Sequence, residues 1–272
     1  MTVESEQIVN VYGADFAVSD LDRIEHRLIK ERLYERPEIS LIAPFLQPGT
    51  VALDIGAHIG VYSLFMAMML QPHGRVIAFE PFPVNYDRLV KNIRLNKAAV
   101  EPVLCALGEA TETRSIRFKQ QNGDSKAVNY GALRIPSDSV DGNLSLQIYR
   151  LDELISRYEA KKISFMKIDV ERWEVQVLRG AKQTITKHRP TILIDVFDSS
   201  EDDSPKSHKN QLVKLLQGWG YTVCKIVKQP VAHFRPVQDD DLVAPVHFNA
   251  LCFHRSLLVN GFAPMGLSVE GV

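Results

Sequence analysis

Three classes of protein are set aside by what this sequence has little of. Cysteine is scarce: Cys105, Cys224 and Cys252 are three among 272 residues, and each sits in an apolar, strand-like run. They read as buried thiols rather than a disulfide framework, and no histidine or cysteine pair has structural-zinc spacing. A reducing compartment, the cytoplasm, is therefore expected, with no metal site. Long apolar runs are also missing, since the longest extend over about ten residues, half a membrane span. The opening residues MTVESEQIVN lack the basic-then-apolar order of a secretion signal. Charge of one sign is absent as well: 32 Lys and Arg against 33 Asp and Glu leave a formal net charge of -1. Such a surface has no global field for nucleic acid or an anionic membrane. There is no internal repeat and no low-complexity block. The remaining composition, 45% hydrophobic and 24% charged, is that of a globular chain long enough for a full core.

What is present is concentrated between Val51 and Glu80, VALDIGAHIGVYSLFMAMMLQPHGRVIAFE. Val51, Ala52, Leu53 and Ile55 form an apolar run broken by Asp54, as in a strand buried on both faces. Gly56 and Gly60 bracket a tight turn, Val61 to Leu70 is a helix stopped by Pro72 and Gly74, and Val76 to Phe79 is the next strand. Glu80 stands at its end, followed by Pro81. An acid about 20 residues past a glycine loop is where a cofactor ribose is held. The loop is not the dinucleotide fingerprint, which would need glycine at His58 and Val61. Asp54-x-Gly56-x-x-x-Gly60 is instead a pattern associated with S-adenosylmethionine sites. The alternative is an ordinary βαβ unit with a structural turn.

Residues 1–18 alternate weakly, as an edge strand or a hairpin around Gly13. A helix from Leu21 to Tyr34 and an amphipathic segment from Ile39 to Leu46 complete an N-terminal cap segment, 1–48, before a main domain of 49–272. Past Glu80, the pattern predicts a helix over Val84–Leu95 and a third strand over Val100–Leu107. Residues 110–150 break the rhythm with β-like pieces between polar turns, and an antiparallel β insertion over the site rim is expected there. A helix (Leu151–Tyr158), a fourth strand (Ile163–Val170) carrying Asp169 at its end, a helix (Trp173–His188) and a fifth strand (Thr191–Phe197) follow. Then come an acidic, Ser-rich loop (Ser199–Ser207), a helix (Leu212–Trp219), a strand (Tyr221–Val227), a long loop over 228–247 and a last strand (Asn249–Phe253). The alternation predicts an α/β, doubly wound sheet with an antiparallel finish.

On these residues the chain resembles the FkbM-like family of S-adenosylmethionine-dependent methyltransferases. The matching stretches are L-D-I-G-A-H-I-G from Leu53, V-I-A-F-E-P from Val76, N-Y-D-R-L-V-K-N-I-R-L-N from Asn85 and A-L-G-E from Ala106. They continue with R-L-D-E-L from Arg150, K-I-D-V-E-R-W-E-V-Q-V-L-R-G-A from Lys167 and R-P-T-I-L-I-D-V from Arg189. The block from Lys167 is the most family-specific. The resemblance implies a Rossmann-like, seven-stranded sheet with an antiparallel last strand, and S-adenosyl-L-methionine as cofactor. It implies that Asp54, Gly56 and Gly60, with Ala57 and His58 in the same loop, shape the pocket for the methionine end. Glu80, beside Pro81, would bind the ribose, Glu109 would lie near the adenine, and Asp169 would sit where substrate meets the methyl group. Tyr34-Glu35 is similar to a family pair upstream of the loop. Two features depart from the pattern: His58 in the glycine loop, and Arg172-Trp173 after Glu171, where a glycine is usual. That bulky pair is expected to reshape the rim of the substrate pocket.

Family members mostly methylate hydroxyls of sugars or natural products, so a small-molecule or glycan hydroxyl is the expected acceptor and nucleic acid is not; the oligomeric state stays open. An alcohol needs its proton removed, which makes a carboxylate useful. Asp169 and Glu171, two apart on one face, are the candidate catalytic pair. In the competing assignment Asp169 holds the cofactor's ammonium group and Glu171 caps the next helix. His58 suits hydrogen bonding to cofactor or backbone better than catalysis. Asn129-Tyr130 either orient a polar substrate or form a surface turn. Met66, Met68 and Met69 are expected in the core. Two other functions share these features: a nicotinamide-dependent oxidoreductase, opposed by the missing glycines, and a non-catalytic cofactor-binding domain closed by Arg172-Trp173.

Overall fold

The computed structural model describes residues 6–19, 23–116, 135, 142–198, 207–228, 232–243 and 246–259. Asn129, Tyr130 and the loop over Ser199–Ser207, apart from Ser207 itself, lie outside them.

The chain opens with the hairpin expected around Gly13. Strand β1 (Gln7–Val11) pairs antiparallel with β2 (Ala14–Val18), and the two turn residues Tyr12 and Gly13 have φ of 53° and 87°. Positive φ at both positions matches the twist of a two-residue hairpin. Helices α1 (Arg23–Glu31) and α2 (Arg36–Ile42) lead into the βα alternation. It runs β3 (Val51–Ile55), α3 (Val61–Met69), β4 (Arg75–Phe79), α4 (Pro83–Asn96) and β5 (Val100–Val103). A satellite sheet follows, in which β6 (Ala106–Leu107) pairs parallel with β8 (Leu144–Tyr149) and β7 (Glu112–Ile116) pairs antiparallel with β8. After a short α5 (Leu151–Leu154), the main sheet resumes with β9 (Ile163–Ile168), α6 (Glu174–Gly180), α7 (Lys182–His188) and β10 (Thr191–Asp198). The chain then gives α8 (His208–Gly218), β11 (Tyr221–Val227), β12 (His233–Pro236), β13 (Val246–His254) and α9 (Arg255–Val259).

The main sheet has the order β12-β11-β13-β10-β9-β3-β4-β5. Its core, from β10 to β5, is parallel, and β13 enters antiparallel between β10 and β11. The seven strands of the expected doubly wound arrangement are all present, and β12 adds an eighth at the edge. That strand lies where the proline-rich sequence predicts only loop. It forms because Phe234 alternates inward onto Phe253, ring centroids 5.3 Å apart, while Pro236 stands at the edge, where its missing N–H is tolerated.

Period-two alternation divides the core in two. Leu53, Ile55, Ile77, Phe79, Met166, Ile168, Ile192 and Ile194 face α5 to α8. Ala52, Ala78, Phe165, Leu193 and Leu251 face α3, α4, the hairpin and α2. Asp54, Lys167 and Asp195 share the second face, because each is two residues on from an inward residue of that face or its register partner. The N-terminal segment thus covers the side of the sheet that carries the charged residues.

Three local expectations change. The third strand divides into β5 and β6, with Leu104 46% exposed between them, because the chain leaves the main sheet there. The helix after Trp173 breaks at Ala181, whose φ of -108° is not helical. Of the three methionines only Met66 is core; Met68 and Met69 are 40% and 39% exposed on the outer face of α3.

Candidate active site

A cavity of about 710 Å³ opens at the carboxyl ends of β3, β4, β9 and β10. Ligands bind there in open α/β sheets. Its floor begins with the turn after β3. Gly56 has φ 82°, and a Cβ at that position would stand 1.9 Å from the carbonyl oxygen of Asp169, so only glycine lets the two strand ends approach. Gly60, with φ 95°, starts α3 and packs against Leu89 of α4. His58 also has positive φ, 51°, which aims its backbone N–H at Glu80.

Glu80 is the buried acid of this floor. Its Oε2 accepts from the backbone N–H of His58 at 2.8 Å, and its Oε1 from that of Phe82 at 3.0 Å. The Asn85 amide lies 3.4 Å from Oε1. Burial raises the Glu80 carboxyl above its ordinary range, and the charge of His58 and the backbone donors oppose that. A carboxylate so fixed still has acceptor capacity for a ligand hydroxyl.

Beside it, three carboxylates share one ammonium. Lys167 Nζ donates to the Gly56 carbonyl at 2.9 Å and stands 3.3 Å from Asp169 and 3.7 Å from Asp54. Burial acts to lower the Lys167 pKa, but the charges of Asp169, Asp54 and Glu35 outweigh it and the net shift is upward. Asp54 is fully buried and accepts from Ser63 Oγ at 2.5 Å. Glu35 accepts from Tyr62 at 2.7 Å; burial first, then the charge of Asp169, pushes it up to about 6. When all four groups are ionised, this corner holds two uncompensated negative charges, which favours a cationic ligand.

The opposite wall comes from β10, β11, β12 and β13. It carries Asp195, Lys225, Lys228, Arg235, His247 and Asn249. Lys225 and Arg235 both bind Asp241, at 2.8 and 2.6 Å. Lys228 pairs with the buried Glu38 of α2, which also accepts from Asn249 at 2.9 Å. Trp173 closes the end near β6: it is 8% exposed, Arg114 lies 4.9 Å over its ring, and its buried Nε1 has no hydrogen-bond partner among the described residues.

Residues 54–223 match the family model described as the methyltransferase FkbM domain. The chain belongs to that family. It is an S-adenosylmethionine-dependent methyltransferase. Among its relatives, it is 26% identical over 201 residues to the 31-O-demethyl-FK506 methyltransferase FkbM of Streptomyces tacrolimicus, covering 65% of this chain and 75% of that one. It is 28% identical over 172 residues to the hexuronic acid methyltransferase AglP of Haloferax volcanii, covering 63% and 66%. A third match, 24% identical over 240 residues, takes in 77% of this chain but only 11% of the AMB antimetabolite synthetase AmbE of Pseudomonas aeruginosa.

The residues fit the cofactor of this FkbM-family methyltransferase. A ligand bearing an ammonium and a sulfonium suits the corner with excess negative charge, and a ribose suits Glu80. Of the residues singled out in the sequence, Tyr34, Gly56, Ala57, His58, Glu80, Pro81, Asp169, Glu171 and Trp173 line the cavity. Asp54 and Gly60 lie behind it as supports. Glu109 points elsewhere, to Arg179 at 3.0 Å on the surface. Arg172 turns away to Asp198 at 3.7 Å and leaves Trp173 alone at the cavity. The turn between β9 and α6 is held by Glu174, which accepts from the backbone N–H of Val170 and Arg172 at 3.2 Å. Lys167, Tyr62, Asp195 and His247 were not singled out. Asp195 had one readable signal, its place near the carboxyl end of a buried strand; His247 had none.

Proposed function

We propose that this enzyme methylates a hydroxyl oxygen of a sugar or a polyhydroxylated natural product in the cytoplasm. The observation that carries the reading is the composition of the second wall. Six polar side chains from β10, β11, β12, β13 and their ends line a cavity whose first half already suits the cofactor. A hydroxyl-rich acceptor can add hydrogen bonds to such a charged wall, whereas an apolar one would only strip water from it. FkbM and AglP, whose names specify an O-methylation and a hexuronic acid, are relatives in keeping with that chemistry.

S-adenosylmethionine supplies a methyl group already activated by its sulfonium charge. The chain's own residues bind and orient. Glu35 and Asp169 hold the ammonium end, with Asp54 and Lys167 bracing them from beneath, and Glu80 holds the ribose. Asp169 also had a claim on the acceptor's proton, but its carboxylate faces Lys167 at 3.3 Å, and its neighbours are the acids of the negatively charged corner. We therefore give it the binding role. Glu171, at the cavity edge, is assigned to acceptor contact together with Tyr34 and Trp173. Residues 1–48 act as a cap on the domain 49–272, and Ile135 brings the 110–150 insertion to the cavity lining. Holding the hydroxyl in line with the methyl group accounts for several kcal/mol of rate, on the order of 7–11 kcal/mol at best.

Incubation with methyl-tritiated S-adenosylmethionine and a panel of uronic acids, neutral sugars, polyols, phenols and amines tests this. The expected result is an alkali-stable O-methyl ether on a polyhydroxylated member. Turnover confined to amines or to carboxyl oxygens would contradict the reading.

A further inference from the structure

Asp195 and His247 belong to the polar wall, but neither has yet been given a role of its own. They stand on adjacent antiparallel strands, β10 and β13, where Phe197 is the register partner of His247 and Asn249 that of Asp195. The pair is therefore diagonal, and His247 Nε2 lies 3.3 Å from Asp195 Oδ1. The Phe197 ring meets the imidazole edge-on, with centroids 5.2 Å apart. Asp195 is 13% exposed and His247 69%, so a recessed carboxylate holds an open imidazole. Both line the same cavity as Asp169.

We propose that His247, oriented by Asp195, is the base that takes the proton from the acceptor hydroxyl. This rests on the hydroxyl reading given under Proposed function. A carboxylate beside Nε2 accepts its N–H and so selects the tautomer whose Nδ1 carries a bare lone pair. In the transfer, the acceptor O–H bond breaks and its proton forms an N–H bond at Nδ1. The oxygen's electron pair forms the C–O bond, while the breaking C–S bond leaves its pair on sulfur. The positive charge thus passes from sulfonium to imidazolium, beside the Asp195 carboxylate that stabilises it. The other acids of the site are less suited: Asp169 and Asp54 face Lys167, and Glu80 is occupied by backbone donors.

The charged groups acting on His247 come from three elements. Asp195 on β10 and Asp169 after β9 raise its pKa, the Asp195 hydrogen bond most, and Lys228 after β11 lowers it, as does burial. Asp195 is itself pushed up to about 6, by burial above all, with Asp169 and Glu174 adding to the shift and His247 opposing it. His247 therefore becomes a free base only on the alkaline side of the ordinary histidine range, and turnover should show an acid limb there.

Three measurements on the full chain test the pair. First, the His247 ring is titrated by NMR in the cofactor-free protein. In Asp195→Asn its pKa should fall below that of the wild type; an unchanged pKa would overturn the coupling. Second, His247→Ala should bind S-adenosylmethionine within about twofold of the wild type by calorimetry, while kcat on a turned-over acceptor falls roughly 100-fold or more. Wild-type kcat in His247→Ala would overturn the proposal. Third, added imidazole should restore part of that loss, because the side chain removed is exposed. A purely structural role predicts no rescue. If the wild type methylates no hydroxyl in the panel, the reading under Proposed function fails, and the ring titration still decides whether the pair is coupled.

Discussion

The two halves of the cavity are built differently. The half at the ends of β3, β4 and β9 is made from short stretches of chain, 34–35, 54–63, 79–85 and 167–173, and its acids are fixed by backbone donors, by one buried lysine or by the hydroxyls of Tyr62 and Ser63. The half at β10, β11 and β13 is made from side chains brought together by strand order, and one of its links, Asn249 to Glu38, joins residues 211 apart. Its members run from 13% exposed for Asp195 through 30% for Lys225 to 69% for His247, whereas Asp54, Glu80 and Lys167 in the first half are all buried. A preorganised, dry half suits a ligand that never changes. A wetter half of long and charged side chains suits an acceptor that varies between relatives.

The comparison can be broken most severely at Gly56. In Gly56→Ala the new Cβ meets the Asp169 carbonyl at 1.9 Å and the backbone stays at positive φ, so a loss of about 3–5 kcal/mol is expected. Thermal unfolding would show a large drop in Tm, and an unchanged Tm would mean that the two strand ends have room to separate.

Next in size is Asp169→Asn. If this carboxylate holds the ammonium end, affinity for S-adenosylmethionine should fall roughly 10- to 100-fold, with kcat at saturation nearly preserved. The opposite pattern, preserved affinity with kcat down by orders of magnitude, would return the proton to Asp169.

Glu35→Gln sharpens the comparison through pH. The folded-state pKa of Glu35 is raised from 4.5 to about 6. Above that value the folded protein holds an ionised acid that the unfolded chain ionises more easily, so this group's stability contribution, present below 4.5, is lost as pH rises through 6. Removing the charge should stabilise the cofactor-free protein by about 1–2 kcal/mol at pH 8, with the gain fading as pH falls toward 4.5. The same variant should bind S-adenosylmethionine more weakly. A gain that grew on acidification would contradict the burial of this acid.

The smallest effect is expected at the insertion. Exchanging the loop between β7 and β8 for one from a relative should shift the acceptor KM several-fold and leave cofactor affinity unchanged. Loss of cofactor binding with an unaltered acceptor spectrum would place the loop in the wrong half.

The same contrast explains what the sequence made legible. Asp54, Gly56 and Glu80 lie within one βαβ unit, so their spacing alone places them together. His247 and Asp195 are 3.3 Å apart only because β13 enters between β10 and β11, and no local pattern encodes that insertion. Lys225 and Arg235 meet on Asp241 for the same reason, through a strand that three nearby prolines made read as loop. The break at Ala181 was invisible because the apolar positions on either side keep a helical period. Glu109 was misleading in a different way: its place after β6 suited the adenine, but Arg179 from α6 draws it to the surface.

The division into two halves is tested most directly by calorimetry of S-adenosylmethionine binding to Glu80→Ala and Asp195→Asn side by side. Removing Glu80 should weaken binding by roughly 1.5–3 kcal/mol, the worth of a hydrogen bond to a charged acceptor. Removing the Asp195 charge should leave affinity within about twofold of the wild type, a change of about 0.4 kcal/mol. Equal losses in the two variants, or an unchanged affinity in Glu80→Ala, would contradict the division.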